Sequence, residues 1–340
     1  MRRDSMEGDS GPAQTRRRFL TVASVAGTTA VAGCSAFGNS TTGSGIVHGS
    51  VENGTTGALV NIIDREGIDE ENDITLSPEY FTSPPKVQKQ IVYNDQIPTG
   101  FMGSIAATRL FRDDEASNPE IAGPYQNYHM HVLTREDSDI DEPADLAGKT
   151  VSWSSKSADA WLKFTTILNL DHGVDPDELE FVQTAPPAST SLLADGELDA
   201  ILQYEPLVTK ALLDHDFEVV YSPRQAWDEL EGLPLTTVDL AWSQSWYENN
   251  SEVASRLRAA FEQGQQYLTE NLASVLENDA DLFGLETDEQ ITRATDRLAG
   301  VYPESWSDDL FDSEYRIVEH ANELGLIDAE PTREIFRTEV

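Results

Sequence analysis

The 340-residue chain carries 61 acidic and 23 basic side chains, for a formal net charge of −38, and it contains one cysteine. That balance excludes a nucleic-acid partner, because phosphate binding requires a basic face. With Cys34 alone, no intramolecular disulfide can form. The acids are spread through periodic apolar segments and form no tail, so the chain does not read as a disordered polyanion.

Thr15-Arg16-Arg17-Arg18-Phe19-Leu20 is a twin-arginine run, and residues 21–32 form a short stretch mainly of Val, Ala, Thr and Gly. A membrane-spanning helix needs ~20 strongly apolar residues, and this stretch is too short and too weakly apolar. A charged segment, a short apolar segment and small residues before a cleavage point read as an export signal over residues 1–33. The paired arginines point to the route that moves folded proteins. Val31-Ala32-Gly33-Cys34 is similar to the lipobox of secreted lipoproteins, so Cys34 is the expected lipidation site and residues 34–45 a flexible tether. The acyl chains would hold the protein to the outer face of the cytoplasmic membrane.

Removing residues 1–33 leaves 18 basic and 58 acidic residues, a net charge of −40. Self-repulsion of this size destabilises a compact state at low salt, whereas in 1 M salt the screening length falls to ~3 Å. The acidity therefore predicts a halophile's protein with a carboxylate-rich hydrated surface. It reports habitat and says little about a ligand.

Strand-like and helix-like segments then alternate. Residues 45–51 predict a strand, followed by Gly54-Thr55-Thr56-Gly57 and a helix through Ala58, Leu59, Ile62 and Ile63. Residues 74–76 predict a strand, residues 86–93 a helix with Val87, Gln90 and Ile91 inward, and residues 99–104 a strand leading into a helix at 105–111. Residues 127–134 read as an extended run. A second unit begins with a strand at 149–153, a Ser-rich turn and a helix at 158–170. A strand at 180–183, a helix at 189–195 and a strand at 198–203 follow. Such alternation predicts parallel α/β sheets. From Ser251, a plausible N-cap, the chain turns helical to about Asn322. Val253, Leu257, Ala260, Phe261, Gly264, Leu268, Leu272 and Val275 form one core-facing stripe.

Four stretches in order carry a family resemblance. They are Asp145-Leu146-Ala147-Gly148-Lys149-Thr150-Val151, Gly173-Val174-Asp175-Pro176-Asp177-Glu178-Leu179, residues 192–200 and Tyr204-Glu205-Pro206. Together they resemble the middle of the periplasmic binding proteins of importers for nitrate, sulfonates, taurine and thiamine-pyrimidine precursors. Residues 99–111 are similar to that family's third strand and helix. The resemblance covers about residues 46–275. It implies a type II periplasmic-binding-protein-like fold of class α/β, with two lobes, parallel-rich sheets flanked by helices, and a helical C-terminal segment. Lobe one is expected at 46–127 plus 237–340 and lobe two at 128–236, with crossings near 129–134 and 236–242. The function implied is solute capture between the lobes for an ABC permease and, through it, its ATPase, with the binding protein a monomer and no cofactor. Two departures fall in lobe one. Tyr80-Phe81 and two prolines follow Ile74, and Asp95-Gln96-Ile97-Pro98 replaces the family's usual Gly-Asp-Val-Asp, so these loops leave the ligand open.

On such sheets ligands sit beyond the carboxyl ends of the strands, where helix N-termini favour anions. The candidate binding residues are therefore Ser50 and Asn53; Met102, Gly103 and Ser104; Ser154, Ser155, Lys156 and Ser157; and Tyr204 with Glu205. Tyr80, Tyr125, Trp153 and Tyr204 stand where rings could stack on a flat ligand. Glu205 offers a carboxylate to a cationic amine or a structural brace. The expected ligand is a small anionic or heteroaromatic solute such as nitrate, a sulfonate, taurine, bicarbonate or a thiamine-like pyrimidine. His129 and His131 lack a third ligand nearby and are not read as a metal site. Asn39, Asn53 and Asn249 begin glycosylation sequons. Two other readings share the scaffold: a pyrimidine-synthesis-like enzyme and a ligand-sensing surface lipoprotein. The enzyme reading lacks a Gly-x-Ser-x-Gly elbow, a second cysteine and a His-Glu metal signature.

Overall fold

The computed structural model describes residues 45–112 and 117–339. The twin-arginine run, Cys34 and residues 35–44 of the tether lie outside the described residues. The first sheet begins with β1 (Ile46–Ser50), whose Ile46, His48 and Ser50 are all buried. Helix α1 (Gly54–Arg65) follows and presses back on the preceding loop. A Cβ on Gly57 would stand 2.4 Å from the Glu52 carbonyl oxygen, which leaves room for glycine alone. After the short α2 (Ile68–Glu71) come β2 (Leu76–Tyr80), α3 (Pro84–Tyr93), β3 (Thr99–Met102), α4 (Ser104–Leu110) and β4 (Pro119–Asn127).

The chain crosses to the second sheet through Tyr128-His129. There it builds β5 (Met130–Arg135), β6 (Thr150–Trp153), α5 (Asp159–His172), β7 (Glu180–Gln183), α6 (Pro186–Ala194), β8 (Ala200–Tyr204), α7 (Leu207–Asp214), β9 (Phe217–Tyr221) and α8 (Pro223–Glu231). It returns through residues 232–235 into β10 (Thr236–Ser243). The two crossings are stitched where the Tyr128 N–H donates to the Leu235 carbonyl at 2.7 Å. Three long helices finish the fold: α9 (Gln244–Asn278), α10 (Asp288–Leu298) and α11 (Asp309–Glu323).

The strand orders are β2-β1-β3-β10-β4 and β7-β6-β8-β5-β9. In each sheet one half is parallel, built from strand–helix–strand units, and the other is antiparallel. β10 runs against β3 and β4, and β5 runs against β8 and β9. The expected parallel sheets are therefore mixed, because the segments beside the crossings enter each sheet from the opposite end. Pro78 of β2 and Pro119 and Pro124 of β4 sit on the two edges of the first sheet, where a missing N–H breaks no interior ladder.

The expected stripe on α9 is core: Leu257, Ala260, Phe261, Gly264, Leu268, Leu272 and Val275 are buried, and Val253 is half-buried against them. The helix begins earlier than expected, at Gln244, and breaks at Asn250 (φ −140°, ψ 29°). Ser251 therefore restarts the helix after the break. Helix α11 serves both lobes. Phe311 packs in the core of the first sheet, whereas Ile317, Val318 and Ala321 pack under the second with α5 and α8. Among the described residues no helix is long and apolar enough to cross a membrane.

Candidate functional site

The segments after β1, β3, β6 and β8 converge at the seam between the lobes, beside the stitched crossings: Thr55 meets His129, Gly103 meets Asp159, and the Glu205 N–H donates to the His129 carbonyl (3.2 Å). Helices α4 and α5 meet there tip to tip. Gly103 precedes α4, and a Cβ on it would lie 2.0 Å from Asp159 Oδ2 at the first turn of α5. Asp159 Oδ2 accepts the Ala106 N–H at 3.2 Å, so a side chain of lobe two supplies the negative charge that the N-terminus of α4 favours. Arg109 reaches back from α4 to donate to the Ser157 carbonyl at 3.2 Å.

Behind this contact Lys163 Nζ donates to Glu314 Oε2 (2.5 Å) and to the Thr236 carbonyl (2.9 Å). Ser104 Oγ donates to Glu314 Oε2 (2.5 Å), and Thr236 donates to Glu314 Oε1 through its N–H (3.2 Å) and hydroxyl (2.8 Å). Burial alone pulls the Lys163 ammonium down, but Glu314, Asp239 and Asp159 outweigh it and raise the pKa. On the other flank, Glu205 Oε2 accepts from the Thr209 hydroxyl (2.7 Å) and N–H (3.2 Å) at the start of α7. Its Oε1 accepts from Arg297 Nε of α10 at 2.5 Å. Lys210 of α7 likewise donates to the Gly284 carbonyl (3.0 Å).

His129 lies in the crossing itself. Its Nδ1 donates to the Asn127 carbonyl (3.0 Å), which leaves Nε2 as acceptor toward the Thr55 hydroxyl at 3.4 Å. Burial lowers its pKa to about 4, in keeping with a neutral ring. His131 Nδ1 instead meets Ser222 Oγ at 2.9 Å, so the two rings serve different partners. Among the described residues no group of three or more His, Cys, Asp or Glu could hold a metal ion.

The expected binding residues separate into three sets. Trp153 and Tyr204 come together edge to face, with centroids 6.2 Å apart, at the ends of β6 and β8. Trp153 Nε1 is buried there without a hydrogen-bond partner. Ser154 and Ser155 are half-buried beside them, and the hydroxyls of Ser155 and Ser157 lie 3.0 Å apart. Asn53 is exposed at the start of α1 and caps nothing with its side chain.

A second set is engaged in holding the lobes together: Gly103, Ser104 and Glu205. A third points elsewhere. Tyr125, expected at a pocket wall, is fully buried in the first core among His48, Phe101 and Phe261, with its hydroxyl donating to the Thr56 carbonyl (3.3 Å). Its place on β4 turns it toward α9 rather than to the seam. Met102 is buried in that same core, and Ser50 Oγ turns onto its own neighbour, the Val51 carbonyl (3.2 Å). Tyr80 is 40 % exposed on an edge strand and directs its hydroxyl to Asn61 along α1 (3.4 Å). Lys156 extends over the surface toward Asp177, 3.8 Å away.

Sequence reasoning missed Asp159, Lys163, Asp239, Glu314 and Arg297. One signal was available: Lys163 and Asp239 each interrupt an otherwise apolar or hydroxyl-bearing run, Ala160 to Leu168 and Thr236 to Trp242, and a charge inside such a run is buried with a partner far away in sequence.

Comparison with known proteins fits this architecture. No curated protein matches the chain by sequence. Among solved structures, the aliphatic sulphonate binding protein of Escherichia coli superposes with a TM-score of 0.66 at 15 % identity, covering 85 % of this chain and 90 % of that one. The alkanesulfonate-binding protein of Xanthomonas axonopodis pv. citri, bound to MOPS, gives 0.68 at 14 % identity over 86 % and 97 %. A Candida albicans gene product with the generic periplasmic binding protein fold gives 0.59 at 11 % identity over 84 % and 92 %. The family model described as NMT1/THI5 like matches residues 80–273, and the chain therefore belongs to the NMT1/THI5-like family.

Proposed function

We propose that this protein is the extracytoplasmic solute-binding component of an ABC importer, and that it captures a small anionic or heteroaromatic solute between its lobes without transforming it. The observation that carries the reading is the seam itself. Strand-end loops of two α/β sheets face each other across two stitched crossings, and a ring pair, Trp153 and Tyr204, stands at the strand ends with an unpartnered indole N–H. A buried donor without a partner favours a ligand that brings an acceptor, and the two rings favour a flat one. Ser154, Ser155 and Asn53 would supply further polar contacts.

The sulfonate-binding neighbours support an oxoanion, and family membership supports a pyrimidine as well. The remaining parts of the reading come from sequence: export by the twin-arginine route, acylation of Cys34, and a permease as the partner that recognises the closed form. Titration calorimetry and melting-shift screening against nitrate, taurine, alkanesulfonates, bicarbonate and aminopyrimidines test the reading. Binding by one class, lost in Trp153→Ala with the fold intact, is the expected result. If neither these solutes nor a metabolite mixture moves the melt, the carrier reading fails.

A further inference from the structure

Four ionisable side chains meet under the contact between α4 and α5: Asp159 and Lys163 from α5, Asp239 from β10, and Glu314 from α11. None is more than 8 % exposed. The one ammonium is engaged with Glu314 and the Thr236 carbonyl. Glu314 has three further donors in Ser104 Oγ and the N–H and hydroxyl of Thr236, and Asp159 has the Ala106 N–H at the positive end of α4. Asp239 has none of these. Both of its carboxylate oxygens are buried without a hydrogen-bond partner, because the neighbouring Thr236 hydroxyl turns to Glu314. An ionised carboxylate so placed would be an uncompensated buried charge, and a group in that position neutralises instead.

The position of Asp239 gives this a mechanical meaning. It pairs in register with Met102, the residue before Gly103, so it lies directly under the point where Asp159 of lobe two plugs the N-terminus of α4 in lobe one. If the lobes part, Asp159 and Lys163 would withdraw together, since both belong to α5, and water would reach Asp239.

We propose that Asp239 holds a proton while the lobes are closed and releases it to water when they part, so that closing the seam takes up one proton. The O–H bond of the acid breaks on opening and its proton passes to solvent, leaving a hydrated carboxylate. Burial, reinforced by Glu314 and Asp159 and opposed by Lys163 and the neighbouring Thr236 hydroxyl, holds this carboxyl well above the usual carboxylate range. The closed form is therefore favoured without penalty in acid, and it loses ground as pH climbs from the ordinary carboxylate range toward the raised value. The other groups facing Asp239 do not reverse this sign: burial also raises Asp159, which moves in the same direction, Arg109 places a positive charge near Asp159, and Lys163 is held charged by Glu314 and Asp159.

The proposal rests on the lobe-closing reading above, but its test needs no solute. Small-angle scattering of the full chain is followed from mildly acid to alkaline pH in molar KCl, where long-range repulsion is screened to ~3 Å. Wild type, D239N and D239L are compared, the two variants being neutral and giving independent chances of a folded protein. Infrared difference spectra of wild type against each variant report the carbonyl band of a protonated carboxyl at neutral pH. The expected result is a one-proton expansion of wild type as pH rises, absent from both variants, together with that band. A profile without the step, a step that persists in either variant, or a spectrum of carboxylate alone overturns the proposal. Flat scattering with solute binding intact removes the proton and keeps the carrier, whereas the step and band without any solute do the reverse.

Discussion

Lys163→Met removes the single ammonium of the buried cluster while keeping the length and much of the volume of the side chain. The Thr236 carbonyl loses its donor at 2.9 Å, and Glu314 loses its ion-pair partner at 2.5 Å while keeping Ser104 Oγ and the two donors of Thr236. Breaking a buried pair from one side costs about 3–5 kcal/mol. The three remaining donors on Glu314 place the expected loss near the lower bound, about 3 kcal/mol. With about 290 residues in the described fold and an unfolding entropy of ~2.1 cal/mol/K per residue, the melting temperature should fall by about 5 °C. Calorimetric melts at neutral pH in molar KCl, on wild type, K163M and the double variant K163M/E314Q, measure this. The double variant removes the orphaned charge and should recover a large part of the loss. A fall of less than about 1 kcal/mol in K163M, or a double variant no more stable than K163M, would refute the assignment of a buried ion pair.

Gly103→Ala would place a methyl 2.0 Å from Asp159 Oδ2; overpacking of about 1–3 kcal/mol and loss of the bond to Ala106 should show in urea denaturation, and G103A/D159A should recover part of it. In Arg297→Met the fully buried Glu205 keeps only its Thr209 donors, so a loss of about 3 kcal/mol is expected; wild-type stability would show that the two lobes do not depend on this pair. Burial lowers the His48 pKa to about 3. Its stabilising share is therefore complete above about pH 6.5 and falls as pH drops toward the folded value, by up to ~1.4 kcal/mol per pH unit. His48→Gln should take up one proton fewer on acid unfolding, and an unchanged proton count would contradict the neutral buried ring. With a net charge of −38, melting temperature should climb from low salt to molar KCl, and a flat or falling curve would end the halophile reading.

The strand–helix–strand units were legible because their apolar runs and turn residues are local. The strand expected at 99–104 is β3 (Thr99–Met102), and the helix expected at 158–170 is α5 (Asp159–His172). β4 (Pro119–Asn127) was not seen, since two prolines and a glycine disguise an edge strand whose ladder faces one way. At the seam, Trp153 and Tyr204 could be placed at strand ends from spacing alone, and they do meet. The direction of a ring could not: Tyr125 and Tyr80 also stand near strand ends, yet one is core and the other surface. The partners of the buried charges were beyond reach because each pair joins residues far apart, Lys163 with Glu314 and Glu205 with Arg297, and such pairs leave no periodicity to read.

The edges of the two sheets have a consequence for how copies of this protein meet. Pro78 on β2 and Pro119 and Pro124 on β4 deprive the rim of the first sheet of donors, and the outer strands of the second carry Glu180 on β7 and Glu218 on β9. A rim so interrupted offers no continuous template on which a neighbouring copy could add a strand. Molar salt that quiets the repulsion between acidic coats also removes their protection against sticking. What still opposes strand pairing between copies is the backbone chemistry of the rims, which no concentration of salt can screen.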